Sequence, residues 1–243
     1  MIVLDAAGTL LELERPVGEA YAEDARAAGT ELDPDRIEAG FARAMADAPP
    51  LAFGDRPAAE RRVAERAWWR SVARKAVEEA GAGEHALDFD RFFDRAWSRF
   101  AEPAAWRVFP DVRPALRASR EAGVPLAVFS NWDSRLPGLL GALGLSGFFT
   151  RVVVSSALRH AKPDPAAFAE ARAAIGEPAE VGIPTMVGDR RDHDVEAALA
   201  AGWRAVWLDR RGEGGSAPGG AARIESLEAL PGLLEDLHAD GSP

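Results

Sequence analysis

The 243-residue sequence predicts an α/β protein: a parallel sheet flanked by helices, with an all-helical domain inserted into it. Three observations carry this expectation. From about Trp106 onward, short apolar runs rich in β-branched residues alternate with helical segments, and such alternation implies parallel strands covered on both faces. One more apolar run, Ile2-Val3-Leu4, stands at the start of the chain, and no convincing strand pattern lies between Leu11 and Ala101. Polar residues recur where strands should end: Asp5 and Thr9, Ser130 and Asn131, Gly188 and Asp189. The carboxyl ends of parallel strands share one edge, which is where open α/β sheets bind ligands, so residues distant in sequence should meet there.

Each element has its own local reason. Ile2-Val3-Leu4 reads as a short buried strand, after which Gly8 permits a tight turn with φ above zero. Helical spacing then sets in. Pro16 suits a first helical position, Val17, Tyr21 and Ala25 share a face, and Gly29 suits the stop. Asp33-Pro34 opens a second helix with Ile37, Phe41 and Met45 on one side, and Pro49, Pro50, Gly54 and Pro57 mark a loop. A long helix is expected from about Ala58 to Ala80 and another from about Asp88 to Phe100, whose stripe of Phe89, Phe93, Trp97 and Phe100 reads as core packing.

Beyond Trp106 the pattern runs helix 111–123, strand 124–129, then a helix capped by Asp133 and ending near Gly144. Strand 152–154 and a helix from Asp164-Pro165 to about Ile175 follow. Next come strand 183–187, a helix over 195–201 stopped by Gly202, and strand 205–208. Residues 210–220 read as glycine-rich loop and 227–237 as a final helix. The expected division is an α/β core over 1–11 and 104–238, a helical domain over 12–103, and a tail over 239–243.

Composition excludes several classes of function. A net charge of −10 argues against non-specific binding to nucleic acid or anionic membranes, both of which need exposed basic surface. No apolar run approaches the roughly 18 residues of a membrane span, and no secretory leader is expected. The absence of cysteine removes disulfides, thiolate metal sites and cysteine nucleophiles, and suits the cytoplasm. Lysine occurs only as Lys75 and Lys162, and asparagine only as Asn131. Both Asn131 and Lys162 fall near predicted strand or helix ends. Taken singly, each polar residue has a structural reading too: Ser130 and Asn131 as turn caps, Lys162 as a solvated side chain, Asp189 and Asp194 as acids at a helix start. Their joint placement at strand ends favours a shared site.

With these residues assembled, the sequence resembles the haloacid dehalogenase superfamily of hydrolases over nearly its whole length. Four motifs appear in order: Asp5 to Thr9, Ser130-Asn131, Lys162-Pro163-Asp164-Pro165, and Gly188-Asp189 with Asp194. The opening Asp-Ala-Ala-Gly-Thr is similar to a subgroup of dehalogenase-like hydrolase domain proteins, and the helical insertion stands where one cap class is placed. The resemblance implies a Rossmann-like core and a phosphatase acting on a small phosphorylated metabolite. It implies that Asp5 is the nucleophile forming an aspartyl-phosphate, that Thr9 orients it, and that Ser130, Asn131 and Lys162 hold the phosphoryl oxygens. It implies a Mg²⁺ ion held by Asp5, the Ala7 carbonyl and Asp189, with Asp194 contacting it through water. Trp132, Arg15, Trp68 and Trp69 are candidates to contact substrate, with Trp132 and Arg15 taken first.

One position departs from the pattern. Phosphatases of this superfamily usually carry a second Asp where this chain has Ala7, and that acid protonates the leaving oxygen. General acid–base catalysis is worth about 10² to 10⁴ in rate, so its loss is serious. Three other readings therefore stand beside the phosphatase: a metal- or phosphometabolite-binding protein without turnover, a haloacid dehalogenase, and a phosphonatase. The dehalogenases carry Tyr at that position and lack the carboxylate that Asp189 supplies. The phosphonatases carry Ala there but use a cap lysine, and Lys75 sits in an Arg-rich stretch that reads as solvent-facing.

Overall fold

The structure is a computed structural model that describes residues 1–83, 86–176, 182–230 and 232. In chain order its elements begin with β1 (Ile2–Leu4), β2 (Leu11–Leu13), α1 (Val17–Ala27), α2 (Pro34–Asp47), α3 (Ala58–Glu79) and α4 (Phe89–Arg99). They continue with β3 (Trp106–Val108), α5 (Val112–Glu121), β4 (Leu126–Ser130), α6 (Leu136–Ala142), β5 (Arg151–Val154) and α7 (Pro165–Ile175). The last are β6 (Thr185–Gly188), a π-helical turn (Arg191–Glu196), α8 (Ala197–Ala200), β7 (Arg204–Leu208) and β8 (Ala222–Ile224).

Six strands form one sheet in the order β5-β4-β1-β6-β7-β8, and neighbouring strands pair in parallel. β1 lies in the middle, with Val3 opposite Ala127 on one side and Met186 on the other. Because those registers align, Asp5, Ser130 and Asp189 emerge along the same edge. The β-branched run of β1 is fully buried, as a central parallel strand requires. Beneath the sheet, Phe129 meets Phe168 edge-on at 5.4 Å, and Phe168 meets Trp203 at 5.3 Å. Asp164 caps α7 through the Ala166 amide at 2.8 Å, as its sequence position leads one to expect.

The chain divides into two compact units, 1–12 with 52–55 and 108–243, and 13–51 with 56–107. The sheet lies in the first, and its segment 52–55 has no signature in the sequence beyond the proline-glycine loop. Phe53 N donates to Ser156 O, and Gly54 N donates to Leu158 O at 2.7 Å. A Cβ on Gly54 would stand 2.5 Å from the Leu158 carbonyl carbon, so only glycine lets the two backbones approach.

The second unit is helical. Tyr21 is its hub, meeting Phe92 edge-on at 5.1 Å and Phe41 at 5.9 Å. Asp33 and Asp88 cap α2 and α4. The aromatic stripe of α4 differs from simple core packing. Phe93 is buried, but Phe89 and Trp97 are only half-buried, and arginines of α3 roof them. Arg66 lies 5.0 Å from the Phe93 ring, Arg70 4.7 Å and Arg74 3.8 Å from Phe89, spaced four residues apart on one helix face.

Three further differences appear, two of them from strands too short to show periodicity. β2 and β3 pair as a two-stranded sheet, so a strand does begin at Leu11. β8, with the sequence Ala-Arg-Ile, adds a sixth strand after the glycine-rich loop. Its central Arg223 donates to Asp209, putting a charge on an edge strand where continued pairing would be a hazard. The helix expected over 195–201 starts earlier, as the π-helical turn from Arg191. A 3₁₀ turn occupies Leu227–Ala229; most of the expected final helix, and the tail over 239–243, lie outside the described residues.

Candidate active site

The turn after β1 is built around the carbonyl of Ala6, which accepts the amides of Leu10 at 2.8 Å and Leu11 at 2.9 Å. Asp5 extends the strand ladder, its amide donating to Val187 O at 2.9 Å. Gly8 sits at φ +77, and a Cβ there would lie 2.2 Å from Asp189 Oδ2. Gly188 makes room in the same way for the other acid: a Cβ there would lie 2.3 Å from Asp194 Cγ. The absence of two side chains thus lets two carboxylates close on the end of β1. The π-helical turn delivers the second of them, since its wider loop re-aims Asp194 back toward the sheet.

Lys162 joins the acids. Its Nζ donates to Asp5 Oδ1 at 2.7 Å, to Asp194 Oδ1 at 2.5 Å and to Phe129 O at 3.2 Å. The lysine is 4% exposed, so these three acceptors are what makes its burial tolerable. Burial by itself lowers its pKa, but Asp194 and Asp5 outweigh that and hold the ammonium above its usual range. Asp194 is fully engaged, its Oδ2 accepting the Arg190 amide at 3.0 Å. Burial, against the pull of Lys162, raises its pKa. Asp189 is less well compensated. Thr9 Oγ1, expected to serve Asp5, stands 3.5 Å from Asp189 Oδ1, the outer limit of a hydrogen bond. Burial first, then the charges of Asp5 and Asp194, push the Asp189 carboxyl up to about 7.

The remaining residues singled out by sequence take varied positions. Ser130 is buried at the last position of β4. Asn131 clamps the lysine loop: its Nδ2 donates to Lys162 O at 2.7 Å and its Oδ1 accepts the Lys162 amide at 3.0 Å. The Lys162-Pro163 bond in that loop is cis. The Ala7 side chain is exposed. Trp132 is 7% exposed, so its ring is largely buried. Arg15 lies in the helical unit, paired with Glu23 at 2.7 Å. There it lines a cavity of about 560 Å³ together with Asp24, Arg95 and Arg99. Trp68 and Trp69 touch each other, with Trp68 Nε1 donating to Pro49 O, and Lys75 is exposed.

Sequence reasoning missed one contributor next to the acids. Trp207 of β7 donates from Nε1 to the Asp189 carbonyl at 3.2 Å, fixing the backbone from which that carboxylate hangs. A tryptophan inside a strand reads as core, and nothing local marks it as a donor to a residue 18 positions away.

Carboxylate oxygens of Asp5, Asp189 and Asp194 come within 4.8 Å of one another. Oxygen-only donors, one of them with its carboxyl pushed up for want of a counter-charge, fit a hard divalent cation. Three acids gathered around one buried lysine at the carboxyl edge of a parallel sheet, with Asp189 and Asp194 both raised, make the arrangement expected of an enzyme site.

Comparisons with known proteins agree. A family model for haloacid dehalogenase-like hydrolases matches residues 1–202. Human haloacid dehalogenase-like hydrolase domain-containing protein 3 is 36% identical over 209 residues, covering 83% of this chain and 78% of that protein. A phosphoserine phosphatase of Thermus thermophilus is 32% identical over 255 residues, covering 96% and 94%. A solved 2-haloacid dehalogenase of Pseudomonas syringae superposes with a TM-score of 0.65 at 25% identity, over 98% of this chain and 100% of that one. The chain belongs to the haloacid dehalogenase-like hydrolase family, as the four motifs implied, and is a hydrolase. Among the described residues no helix is long and apolar enough to cross a membrane.

Proposed function

We propose that this hydrolase is a Mg²⁺-dependent phosphatase that acts on a small phosphorylated metabolite in the cytoplasm, with Asp5 as the nucleophile. The observation that carries the reading is the sharing of one buried ammonium: Lys162 holds Asp5 Oδ1 and Asp194 Oδ1 while Asp189 is left short of positive charge. The hydrogen bond from Lys162 orients Asp5 for in-line attack on phosphorus, since a carboxylate is a weak nucleophile unless positioned. The same ammonium stabilises charge on the phosphoryl oxygens, with the Ser130 hydroxyl and the Asn131 amide beside it. Asn131 contributes further by keeping the lysine loop in place. Asp5, Asp189 and the Ala7 carbonyl would hold Mg²⁺, with Asp194 behind them. When bound, the ion supplies charge neutralisation that lets an anionic nucleophile approach a phosphate. Water then hydrolyses the aspartyl-phosphate at Asp5. The resemblance implies that haloacid dehalogenases lack the carboxylate Asp189 supplies, so Asp189 favours the phosphatase over that reaction.

Ala7 limits the chemistry. No side chain at position 7 can protonate a leaving alkoxide, so substrates with stable leaving groups are preferred. Acyl phosphates and nitrophenyl phosphate should turn over well, and sugar phosphates poorly. The second reading, a binding protein without turnover, rests on the same residue. A panel of these esters with and without Mg²⁺, run on wild type and Ala7→Asp, separates the two. The side chain at position 7 is exposed, so an added carboxylate displaces nothing in the core. The variant should gain up to about 10² to 10⁴ on alkyl phosphates and much less on nitrophenyl phosphate. Adding Asp5→Asn should abolish the gain. A folded, Mg²⁺-binding Ala7→Asp protein with no gain on any ester selects the binding protein.

A further inference from the structure

We propose that Arg210 is a positioning residue for the nucleophile turn, acting through the main-chain carbonyl of Thr9. The inference builds on the reading of Asp5 and the Ala7 carbonyl as working groups of the site. It concerns residues beyond 202, where the family match ends.

A turn that presents a carboxylate and a carbonyl ligand must have its other polar groups tied down. In this turn the accounting is nearly all local: Gly8 N donates to Leu11 O, and the amides of Leu10 and Leu11 share Ala6 O. The Leu10 carbonyl accepts the Phe109 amide at 3.2 Å. The Thr9 carbonyl is held by a side chain instead. It accepts Arg210 Nη2 at 2.7 Å, from a residue 201 positions away. Thr9 O is two peptide units from the Ala7 carbonyl, and the residue between them is Gly8, the one with the freest backbone. The Ala7 carbonyl shares its peptide plane with the Gly8 amide that donates to Leu11 O, and the Thr9 anchor fixes the chain on the far side of that glycine, so both flanks of the freest residue in the turn are held.

Arg210 is itself held rigidly. It follows β7 by two residues, and its guanidinium carbon lies 4.0 Å from the centre of the Phe109 ring. Its Nη1 donates to Asp111 Oδ2 at 2.9 Å, and that oxygen also accepts Ser226 Oγ at 3.0 Å and the Leu227 amide at 2.8 Å. Asp209 pins the loop beside it by accepting the amides of Glu213 and Gly214. The brace thus runs from the segment at 226–227 through Asp111 and Arg210 to the nucleophile turn. A second role as a phosphate-binding cation is excluded by the contacts: both terminal nitrogens are committed, and Nε is buried with no partner. An arginine kept at that cost fits positioning, because its rigid planar fork holds two separate acceptors, Thr9 O and Asp111 Oδ2, in a fixed relation.

The test uses the full chain with Arg210→Ala, Arg210→Lys and Ser226→Ala. Amide hydrogen exchange over residues 8–11 reads the turn directly and needs no catalysis. Beryllofluoride with Mg²⁺, a mimic of the phosphorylated aspartate, reads the nucleophile by ¹⁹F resonance. Nitrophenyl phosphate gives kcat and KM. A displacement of about 1 Å at a reacting group costs about 10²-fold. Arg210→Ala should therefore exchange faster at these amides, bind beryllofluoride about 10- to 100-fold more weakly, and lose kcat by a similar factor with KM unchanged. Arg210→Lys should recover some of each, and Ser226→Ala should move all three readouts in the same direction by less. Unchanged exchange and ¹⁹F signal in folded Arg210→Ala overturn the proposal. If that variant fails to fold, unchanged readouts in both Arg210→Lys and Ser226→Ala overturn it equally. A wild type with neither a beryllofluoride adduct nor turnover overturns the nucleophile reading instead, and hydrogen exchange still decides the brace.

Discussion

Replacing Gly8 by alanine should damage the site by a contact that can be separated from backbone strain. An alanine Cβ would stand 2.2 Å from Asp189 Oδ2 and 2.5 Å from its Cγ, well inside any real contact. Gly8 also sits at φ +77, where an L-residue pays about 1–2 kcal/mol. Steric overlap in packed surroundings adds about 1–3 kcal/mol. If the turn keeps its shape, the two terms sum to roughly 2–5 kcal/mol of lost stability. If Asp189 rotates away instead, stability recovers and the carboxylate leaves the cluster. Gly202→Ala is the control: it has the same φ of +77, and nothing lies within 4 Å of its Cβ. Denaturant melts of both variants, with and without Mg²⁺, give the contact by difference. Gly8→Ala should lose about 1–3 kcal/mol more than Gly202→Ala, or else lose its stabilisation by Mg²⁺. A Gly8→Ala protein as stable as Gly202→Ala that also retains the full Mg²⁺ response would refute the packing of Asp189 against this turn.

Two further outcomes follow from the shifted acids. The Asp189 carboxyl, raised to about 7 by burial and by its acidic neighbours, binds a proton more tightly folded than unfolded. Metal-free stability should therefore fall as pH rises from about 4 to about 7. Asp189→Asn should remove that dependence, stabilise the metal-free protein at pH 8 by up to roughly 4 kcal/mol, and abolish the Mg²⁺ shift in thermal melts. Glu23 has the opposite sign: Arg15 and then Arg99 hold its carboxyl down to about 2. Its contribution is present above the ordinary glutamate range and is lost as pH falls toward 2. Its side chain is half exposed, so Glu23→Gln should cost about 1 kcal/mol or less at pH 7, and progressively less as pH falls through 2, in unfolding followed by circular dichroism.

The features of this molecule legible in its sequence are those for which chemistry dictates both residue type and place. β-branched runs before Asp5, Asn131 and Asp189 force three strand ends to one edge, so the meeting of Asp5, Lys162, Asp189 and Asp194 could be anticipated without coordinates. Gly8 was legible as a turn former and Gly188 as a strand-end residue, but neither as one of the residues whose missing side chains seat Asp189 and Asp194. That relation is a distance, and it has no sequence period. The three-residue strand β8 shows too little alternation to separate it from the glycine-rich loop before it. The arginine roof over Phe89, Phe93 and Trp97 was hidden because arginine on a helix reads as a solvated face, although its guanidinium can cover aromatic carbon.

The braces were illegible for a more general reason. Trp207 and Arg210 act on the carbonyls of Asp189 and Thr9, and every residue carries a carbonyl, so the recipient leaves no mark in the sequence. The donor leaves little more, since any side chain with an N–H at the right reach would serve. Asp5 admits no such freedom, because a carboxylate at hydrogen-bonding distance from the buried Lys162 has few substitutes. Ala7 lies between these cases. Its carbonyl can act without any particular side chain, while the acid expected beside it cannot be replaced by backbone. On the proposed reading, a chain can therefore keep the metal-binding half of that position and lose the proton-transfer half in one substitution. The turn stays intact because its geometry is set by Gly8, Ala6 O and Arg210, not by the side chain at position 7.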